Sequence, residues 1–200
     1  TVLITKTDGT LWGIGNNEKG GLAQNDTANR SSPVQIPGTW APGLQSMTVN
    51  YDTVGAIKSD GTLWMWGNNN WGELGQNSRV PNNDHGISSP VQIPGTTWSQ
   101  GSGGDEGVMA IKTDGTLWGW GENETDCLGL NTGHDTHKSS PVQIPGTSWS
   151  QVACGRQHTI ATKTDGTLWA WGDGGEGQLG LNVTTNYSSP VQVGSDTIWT

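Results

Sequence analysis

The string Asp-Gly-Thr-Leu-Trp occurs four times in this 200-residue chain, beginning at residues 8, 60, 114 and 165. A second string, Ser-Ser-Pro-Val-Gln, follows each copy and begins at residues 31, 88, 139 and 188. Successive copies of the first string lie 52, 54 and 51 positions apart. A fixed order of motifs at this period indicates a repeat architecture, in which each unit buries its faces against its neighbours.

Each unit contains four segments that predict β-strands. In the last complete unit these are 149–155, 158–164, 167–172 and 189–193. Gly is abundant, at 32 residues, and no segment shows the apolar period of a helix. Gly and Asn supply the positive φ angles that turns between short strands require. The sequence therefore predicts an all-β fold built from four-stranded antiparallel units.

The Asp-Gly pair in each copy predicts a two-residue hairpin turn of type I′ between the second and third strands. With Asp165 and Gly166 at the centre of that turn, Trp169 would face Thr162 across the hairpin. Tryptophans give each hairpin one heavy face, which a lone sheet cannot bury. We therefore expect the tryptophan that ends each of the last three copies to be largely buried between units. These residues are Trp64, Trp118 and Trp169.

The formal net charge of the chain is −9 at pH 7. Its nine basic residues are scattered along the sequence, whereas recognition of nucleic-acid phosphates requires them to be clustered. There is also no run of about 18 apolar residues. The sequence therefore predicts neither a nucleic-acid partner nor insertion into a membrane.

No pattern of residues predicts a catalytic, cofactor or metal site. His134 and His137 lie three residues apart in a loop segment that offers no third ligand. Cys127 and Cys154 are too few for a metal site and can be either two buried thiols or one disulfide. Neither a nucleophile elbow nor a phosphate-binding loop is present. The chain is therefore predicted to be non-enzymatic and to bind no cofactor.

Three segments carry a resemblance to a known family: 155–159 (Gly-Arg-Gln-His-Thr), 164–173 (Thr-Asp-Gly-Thr-Leu-Trp-Ala-Trp-Gly-Asp) and 175–182 (Gly-Glu-Gly-Gln-Leu-Gly-Leu-Asn). They resemble the regulator-of-chromosome-condensation repeats, particularly the bacterial and phage copies, and the resemblance covers essentially the whole chain. It implies a β-propeller of four-stranded blades, usually seven to a ring. It also implies a structural role for His158, cis bonds at some of the Ser-Pro pairs, and an extracellular or virion-associated location.

The four repeats would then form part of a larger ring of about seven blades. Aligning Lys6 with Lys163, and Trp199 with Trp149, leaves the counterpart of 151–157 absent from the chain. We therefore expect further blades, or a neighbouring copy of the same repeat. The predicted units are 1–38, 39–95, 96–146 and 147–194, with 195–200 as the start of the next unit.

The four copies differ from one another mainly on one side, which we call the top. If the first strand of a unit runs upward, the turn after it and the loop before the fourth strand both lie at the top. The bottom turns are nearly identical, whereas the top segments vary, and variation of this kind often marks a binding face. Drift in loops that carry no load would give the same pattern. The candidate partner-binding residues are Tyr51, Asp52, Trp71, His85, Asp105, Glu106, His134, His137, Arg156 and Gln157.

These observations predict an interaction or structural module that binds a protein through its top-face loops. One alternative is a carbohydrate-binding, lectin-like adhesin on a cell surface or virion, which would use Trp71, Tyr51 and the Asp- and Asn-rich loops. The family resemblance adds a guanine-nucleotide exchange factor for a small GTPase as a second alternative. A glycan array and a nucleotide-release assay would separate the two.

Overall fold

The computed structural model describes residues 1–79, 86–105 and 107–200, and its strands form four antiparallel sheets, which we number as blades 1 to 4. Blade 1 consists of β1 (Val2–Thr5), β2 (Leu11–Gly15) and β3 (Arg30–Ile36). Blade 2 consists of β4 (Met47–Val49), β5 (Thr53–Ile57), β6 (Leu63–Gly67) and β7 (Ile87–Gln92). Blade 3 consists of β8 (Trp98–Gly103), β9 (Gly107–Lys112), β10 (Leu117–Gly121) and β11 (Lys138–Gln143). Blade 4 consists of β12 (Trp149–Cys154), β13 (His158–Lys163), β14 (Leu168–Gly172) and β15 (Tyr187–Gln192). The prediction of an all-β fold of antiparallel units is confirmed, although blade 1 has three strands.

The hairpin turn differs from the predicted type I′ turn. The Gly166 N–H donates to the Lys163 carbonyl at 2.9 Å, and the Lys163 N–H donates to the Thr167 carbonyl at 3.0 Å. The loop therefore has three residues, and of the Asp-Gly pair only Gly166 has a positive φ, of 80°. A type I turn followed by a left-handed glycine produces this arrangement. The register shifts by one position, so that Trp169 faces Ala161 and the predicted pair with Thr162 is wrong.

The aspartate of each turn holds a chain of side-chain contacts. Asp165 Oδ1 accepts from the Thr167 N–H at 3.0 Å and from its hydroxyl at 2.7 Å. The same hydroxyl accepts from the Trp169 indole N–H at 2.8 Å, and the Lys163 ammonium lies 4.1 Å from the ring centroid of Trp169. Equivalent contacts recur in the other three blades. The repeated string therefore encodes a bottom turn in which Asp, Thr, Trp and Lys support one another.

Because of these turns, we expect stability to fall in acid. In each turn, hydrogen bonds from the threonine two residues after the aspartate hold the pKa of that aspartate below its ordinary value. The four aspartates are Asp8, Asp60, Asp114 and Asp165. A carboxyl whose pKa is lower in the folded state stabilises the fold above its unfolded pKa of about 3.9, and this contribution is lost as the pH falls through the lowered value. Urea midpoints measured from pH 5 to pH 2 should therefore decline below about pH 4.

The Asp114→Asn variant retains an oxygen acceptor but cannot titrate, so its decline should be shallower than that of the wild type. Asp196→Asn changes an exposed carboxylate outside the four turns and serves as the control. Identical acid profiles for wild type and Asp114→Asn would contradict the assignment.

Two further series of tryptophans are buried more deeply between the blades than the three predicted. Trp64, Trp118 and Trp169 are half-buried and pack against the edges of the interblade clusters. The fully buried series lies two positions later, and each of its indoles donates to a loop carbonyl of the preceding blade. Trp66 donates to Gly21 at 2.9 Å, Trp120 to Glu73 at 2.7 Å and Trp171 to Cys127 at 2.9 Å. A second buried series, Trp40, Trp98 and Trp149, packs against these rings at tilted angles of 54–63°, with centroids 5.8–6.0 Å apart.

Backbone hydrogen bonds also join successive blades at their outer strands. The amide of Asn25 donates to the Ser88 carbonyl, that of Asn77 to Ser139 and that of Asn131 to Ser188, at 2.7–2.9 Å. Each asparagine has a φ of 53–58°, in the left-handed region that Asn tolerates better than most residues. The long loop of one blade therefore contains a left-handed residue whose amide bonds to the next blade.

The outermost strands β3, β7, β11 and β15 each contain the proline of the second repeated string. Loss of one N–H is tolerated there because these are edge strands. All four Ser-Pro bonds, at Pro33, Pro90, Pro141 and Pro190, are trans, so the expectation of cis bonds is wrong.

The strand after each Asp-Gly turn ends at a glycine, opposite a bulge in the outer strand. Pairing of β6 with β7 shifts register between Met65 and Gly67, and Gly67 has a φ of 99°. The equivalent glycines, with φ values of 94–105°, are Gly15, Gly121 and Gly172.

Candidate interaction face

The top face is formed by the inner turns 50–52, 104–105 and 155–157, and by the long loops 16–29, 68–79, 122–137 and 173–186. The inner turns bond to one another around one edge of the face. The Asp105 N–H donates to the Arg156 carbonyl at 3.0 Å, and the Tyr51 N–H donates to the Asp105 carbonyl at 3.4 Å. Three blades therefore bring Tyr51, Asp105 and Arg156 together.

The side chains of these inner turns project into solvent. Tyr51 is 78% exposed, and the side chain of Arg156 is 82% exposed although its Nε lies 3.1 Å from Asp105 Oδ2. An ion pair this exposed contributes little to stability. Tyrosine and arginine are the residue types that most often dominate the energy of protein interfaces. These two side chains are therefore available to a partner.

The long loops of blades 2 and 3 meet at Trp71. The ring of His137 lies 4.5 Å from the Trp71 ring, and the Arg79 guanidinium lies 5.0 Å from the same indole. His137 Nδ1 accepts a hydrogen bond from the Asn123 backbone N–H at 3.0 Å, which places the ring proton on Nε2. Burial and the nearby Arg79 lower the pKa of His137. Trp71 and His137 are thus brought together, and the indole already contacts two side chains of the protein.

His134 occupies a different environment in the same loop. Its Nδ1 donates to the Glu124 carbonyl at 2.8 Å, and its Nε2 lies 3.6 Å from Asp126 Oδ2. The hydrogen bond to Glu124, and then the charge of Asp126, raise the pKa of His134. Within the described ranges, no group of three His, Cys, Asp or Glu residues could hold a metal ion.

Two of the predicted residues act through their backbone. The Asp52 carbonyl accepts from the Asn68 N–H at 2.9 Å, and the Gln157 carbonyl accepts from the Asp173 N–H at 2.9 Å and the Thr125 hydroxyl at 3.1 Å. Both carbonyls tie an inner turn to a long loop. His85 and Glu106, also predicted, lie outside the described residues.

Several residues that shape the face were not predicted. Arg79 is one, and a series of buried asparagines near the start of the loops is another. The side-chain oxygens of Asn17, Asn69 and Asn123 accept from the amides of the leucines five residues later, at 2.8–3.1 Å. Their repeated position, two residues after the glycine that ends the strand following each Asp-Gly turn, was visible in the sequence.

The two cysteines line a small cavity between blades 3 and 4 with His158 and Thr159. Its volume of about 10 Å³ has room for about one water molecule. Both thiols are free, and burial raises the pKa of Cys127 to about 12 and that of Cys154 to about 11. Thiols of this kind stay protonated and are poor nucleophiles. The ring of His158 packs directly on Gly155, consistent with a structural role.

The charge of the chain is distributed unevenly between the two faces. The charges at the bottom nearly balance: Asp8, Asp60, Asp114, Asp165 and Asp196 against Lys6, Lys58, Lys112 and Lys163. Eleven other acidic residues and the other five basic residues belong to described top-side segments, which gives these segments a net charge of −6. Most of the net charge of −9 therefore falls on the top side.

Comparison with curated proteins identifies relatives over most of the chain. The ultraviolet-B receptor UVR8 of Arabidopsis thaliana is 30% identical over 194 residues, which cover 95% of this chain and 43% of the receptor. RUG3, a mitochondrial RCC1 domain-containing protein of Arabidopsis thaliana, is 30% identical over 196 residues, covering 96% of this chain and 44% of that protein. Human protein RCC2 is 27% identical, with 89% of this chain and 38% of RCC2 covered. The chain spans less than half the length of these relatives.

Solved structures resemble the chain in fold. Human WBSCR16 superimposes with a TM-score of 0.79 at 21% identity, covering 96% of this chain and half of that one. Prp20p of Saccharomyces cerevisiae gives 0.81 at 17% identity, covering 96% and 48%. Both are β-propellers of the RCC1 type, and the propeller prediction is confirmed.

The predicted extracellular or virion-associated location is wrong. The relatives are intracellular proteins, and RUG3 is named as mitochondrial. The repeated strings encode turns and interblade packing, which carry no information about the compartment. Separately, the described residues contain no helix that is long and apolar enough to cross a membrane.

The family itself is shown by direct matches to its repeat. The model of the regulator of chromosome condensation (RCC1) repeat matches residues 60–111, 114–162 and 165–197, and a second model of the same description matches 149–178. These matches span well over half of the chain. The chain therefore belongs to the RCC1 repeat family.

Proposed function

We propose that the chain is part of a larger RCC1-type propeller that binds a protein partner through its top face and catalyses no reaction. The observation that carries the proposal is the contrast between the two faces. Four bottom turns share the same Asp-Thr-Trp-Lys contacts, whereas the top loops differ in residues, length and contacts. Constant turns serve the fold, so variable segments on one face are available for recognition.

Charge and relatives support a protein partner. The acidic excess on the top side favours a partner with a basic surface, since complementary potentials accelerate encounter and exclude other partners. Prp20p is described as binding Gsp1p and histones, and Kap60 has been crystallised bound to yeast RCC1 (Prp20). The larger ring is supported by coverage, because the chain matches about half of each propeller it resembles.

Neither alternative predicted from the sequence is favoured by a specific contact. The adhesin required a surface location, and that location is wrong. It also required Trp71 as a sugar-stacking surface, and this indole contacts His137 and Arg79. An exchange factor would need a feature of this chain that engages a GTPase, and the likeness to Prp20p at 17% identity supports the fold alone.

Site-specific photo-crosslinking tests the proposal. Benzoylphenylalanine at the exposed top position 51 should give partner adducts in extracts of the source cell, whereas the same residue at the exposed bottom position 164 should not. The partner identified at position 51 is then titrated against Arg156→Ala, Tyr51→Ala and the double variant.

The double variant should bind the identified partner at least tenfold more weakly, because Tyr and Arg anchors commonly contribute about 2 kcal/mol or more each. Its urea midpoint should match that of the wild type, because both side chains are exposed. Adducts formed only at position 164, or unchanged affinity of the double variant, would refute top-face binding.

A further inference from the structure

The residue just before the outer strand closes the long loop in three of the blades. In blade 1, Asn29 Oδ1 accepts from the Asn17 backbone N–H at 2.7 Å, and in blade 4, Asn186 Oδ1 accepts from the Gly174 N–H at 3.0 Å. In blade 3 this position belongs to His137, whose Nδ1 accepts from the Asn123 N–H at 3.0 Å. An amide oxygen accepts at any pH, whereas an imidazole nitrogen accepts only when it is unprotonated.

Closure of this loop also joins two blades. The His137 ring packs on Trp71 of the blade 2 loop, close to the Arg79 guanidinium. A proton on Nδ1 would point at the Asn123 N–H, and the new imidazolium would lie near a second cation. Both effects oppose the closed arrangement, so protonation of His137 and contact with Trp71 compete.

The charged groups around the loop set the direction of this competition. Burial and Arg79 lower the pKa of His137, while Asp135 and Glu124 act in the opposite sense without reversing the shift. His134 favours its protonated form, because it faces Asp126. The carboxylate of Asp126 is buried, and one of its oxygens has no hydrogen-bond partner. The loop is thus best satisfied when His134 is protonated and His137 is neutral.

We propose that loop 122–137 is a proton-operated closure, which holds Trp71 while His137 is neutral and releases it when His137 takes up a proton. A histidine whose folded pKa is lowered stabilises the closed form fully above its unfolded value of about 6.5, and this stabilisation is lost as the pH falls through the lowered value. Acidification would therefore rearrange the top face between blades 2 and 3. Its effect on a partner rests on the proposed function, whereas the closure itself does not.

Amide hydrogen exchange and NMR of the whole chain test the closure without any partner. Between pH 7.5 and pH 5, the protection factor of the Asn123 amide, corrected for intrinsic exchange, should fall at least tenfold in the wild type, since one proton competes with one hydrogen bond. The Asn17 amide, bound to Asn29, should stay constant and is the internal reference. Imidazole nitrogen shifts should show His137 with its proton on Nε2 at pH 7.5.

The matched variant is His137→Asn, which installs the acceptor used in blades 1 and 4 and removes the titration. Its Asn123 amide should stay protected across the whole range. The proposal would be overturned if protection of the Asn123 amide in the wild type did not change with pH, or if neutral His137 carried its proton on Nδ1. Both results come from the wild type, so they hold even if the variant fails to fold. If the Asn123 amide loses protection in acid but position 51 gives no partner adduct, the proposed function fails and the inference about the loop stands.

Discussion

Replacing Trp120 with alanine is expected to lower the free energy of unfolding by about 3–5 kcal/mol, the usual cost of emptying a large buried site. The indole of Trp120 is fully buried between blades 2 and 3 and packs against Trp98. Its N–H also donates to the Glu73 carbonyl at 2.7 Å, and the truncation would remove this buried hydrogen bond. Urea unfolding monitored by circular dichroism would measure the loss.

The neighbouring Trp118 provides the matched control. It lies on the same strand and the same face, but it is half-buried and its N–H bonds to Thr116 within its own turn. Trp118→Ala should therefore cost less, about 1–2 kcal/mol. If Trp120→Ala does not fold, Trp120→Phe keeps most of the buried surface and should still lose about 1–2 kcal/mol through the missing N–H donor. A larger loss for Trp118→Ala than for Trp120→Ala would show that the interblade packing is assigned wrongly.

The second large effect is expected at Gly67, the last residue of β6 in blade 2. A methyl group at Gly67 would overlap the carbonyl oxygen of Asp52 and lie 3.1 Å from the Thr53 Cα, both of which are backbone atoms. Gly67 also has a φ of 99°, which side chains rarely adopt. The Gly67→Ala variant should lose about 3–5 kcal/mol of unfolding free energy, since strain and backbone overlap add together.

Gly107→Ala is the control for that substitution. Gly107 has no positive φ, and its new methyl group would lie 3.4 Å from the Glu122 carbonyl oxygen and 3.5 Å from Cys127 Sγ, which are ordinary contacts. Alanine there reduces the freedom of the unfolded chain, so the change should be neutral or stabilising by up to about 1 kcal/mol. Similar losses at positions 67 and 107 would show that a general intolerance of glycine replacement is being measured.

The repeat predicted the strands and their pairing because each Asp-Gly pair must lie in a turn between two alternating segments. The turn type could not be read from the pair alone. Asp165 accepts two hydrogen bonds from Thr167 and keeps a negative φ, and this lengthens the loop to three residues. One residue of register then places Ala161 and Thr159, instead of Thr162 and Ile160, opposite Trp169 and Trp171.

The candidate face was predicted in place but not in detail. Topology puts the variable loops on one side, so the locations of Tyr51 and Arg156 followed from strand order. The contact between Trp71 and His137 joins loops 66 positions apart, and no local pattern reports it. The role of His137 as a hydrogen-bond acceptor likewise emerges only beside Asn29 and Asn186, whose equivalence depends on the loop geometry.

The joints from Asn25 to Ser88, Asn77 to Ser139 and Asn131 to Ser188 all use the same backbone N–H and C=O groups, and only the third adds a side-chain hydrogen bond, from the Ser188 hydroxyl to Asn131 Oδ1. A joint of this kind makes few demands on side-chain identity, beyond a residue that accepts a left-handed φ. Duplication, loss or exchange of whole units would leave these backbone joints chemically the same. Such an array can evolve by recombination of interchangeable parts, and its loops can diverge in length and composition while the unit that carries them still fits its neighbours.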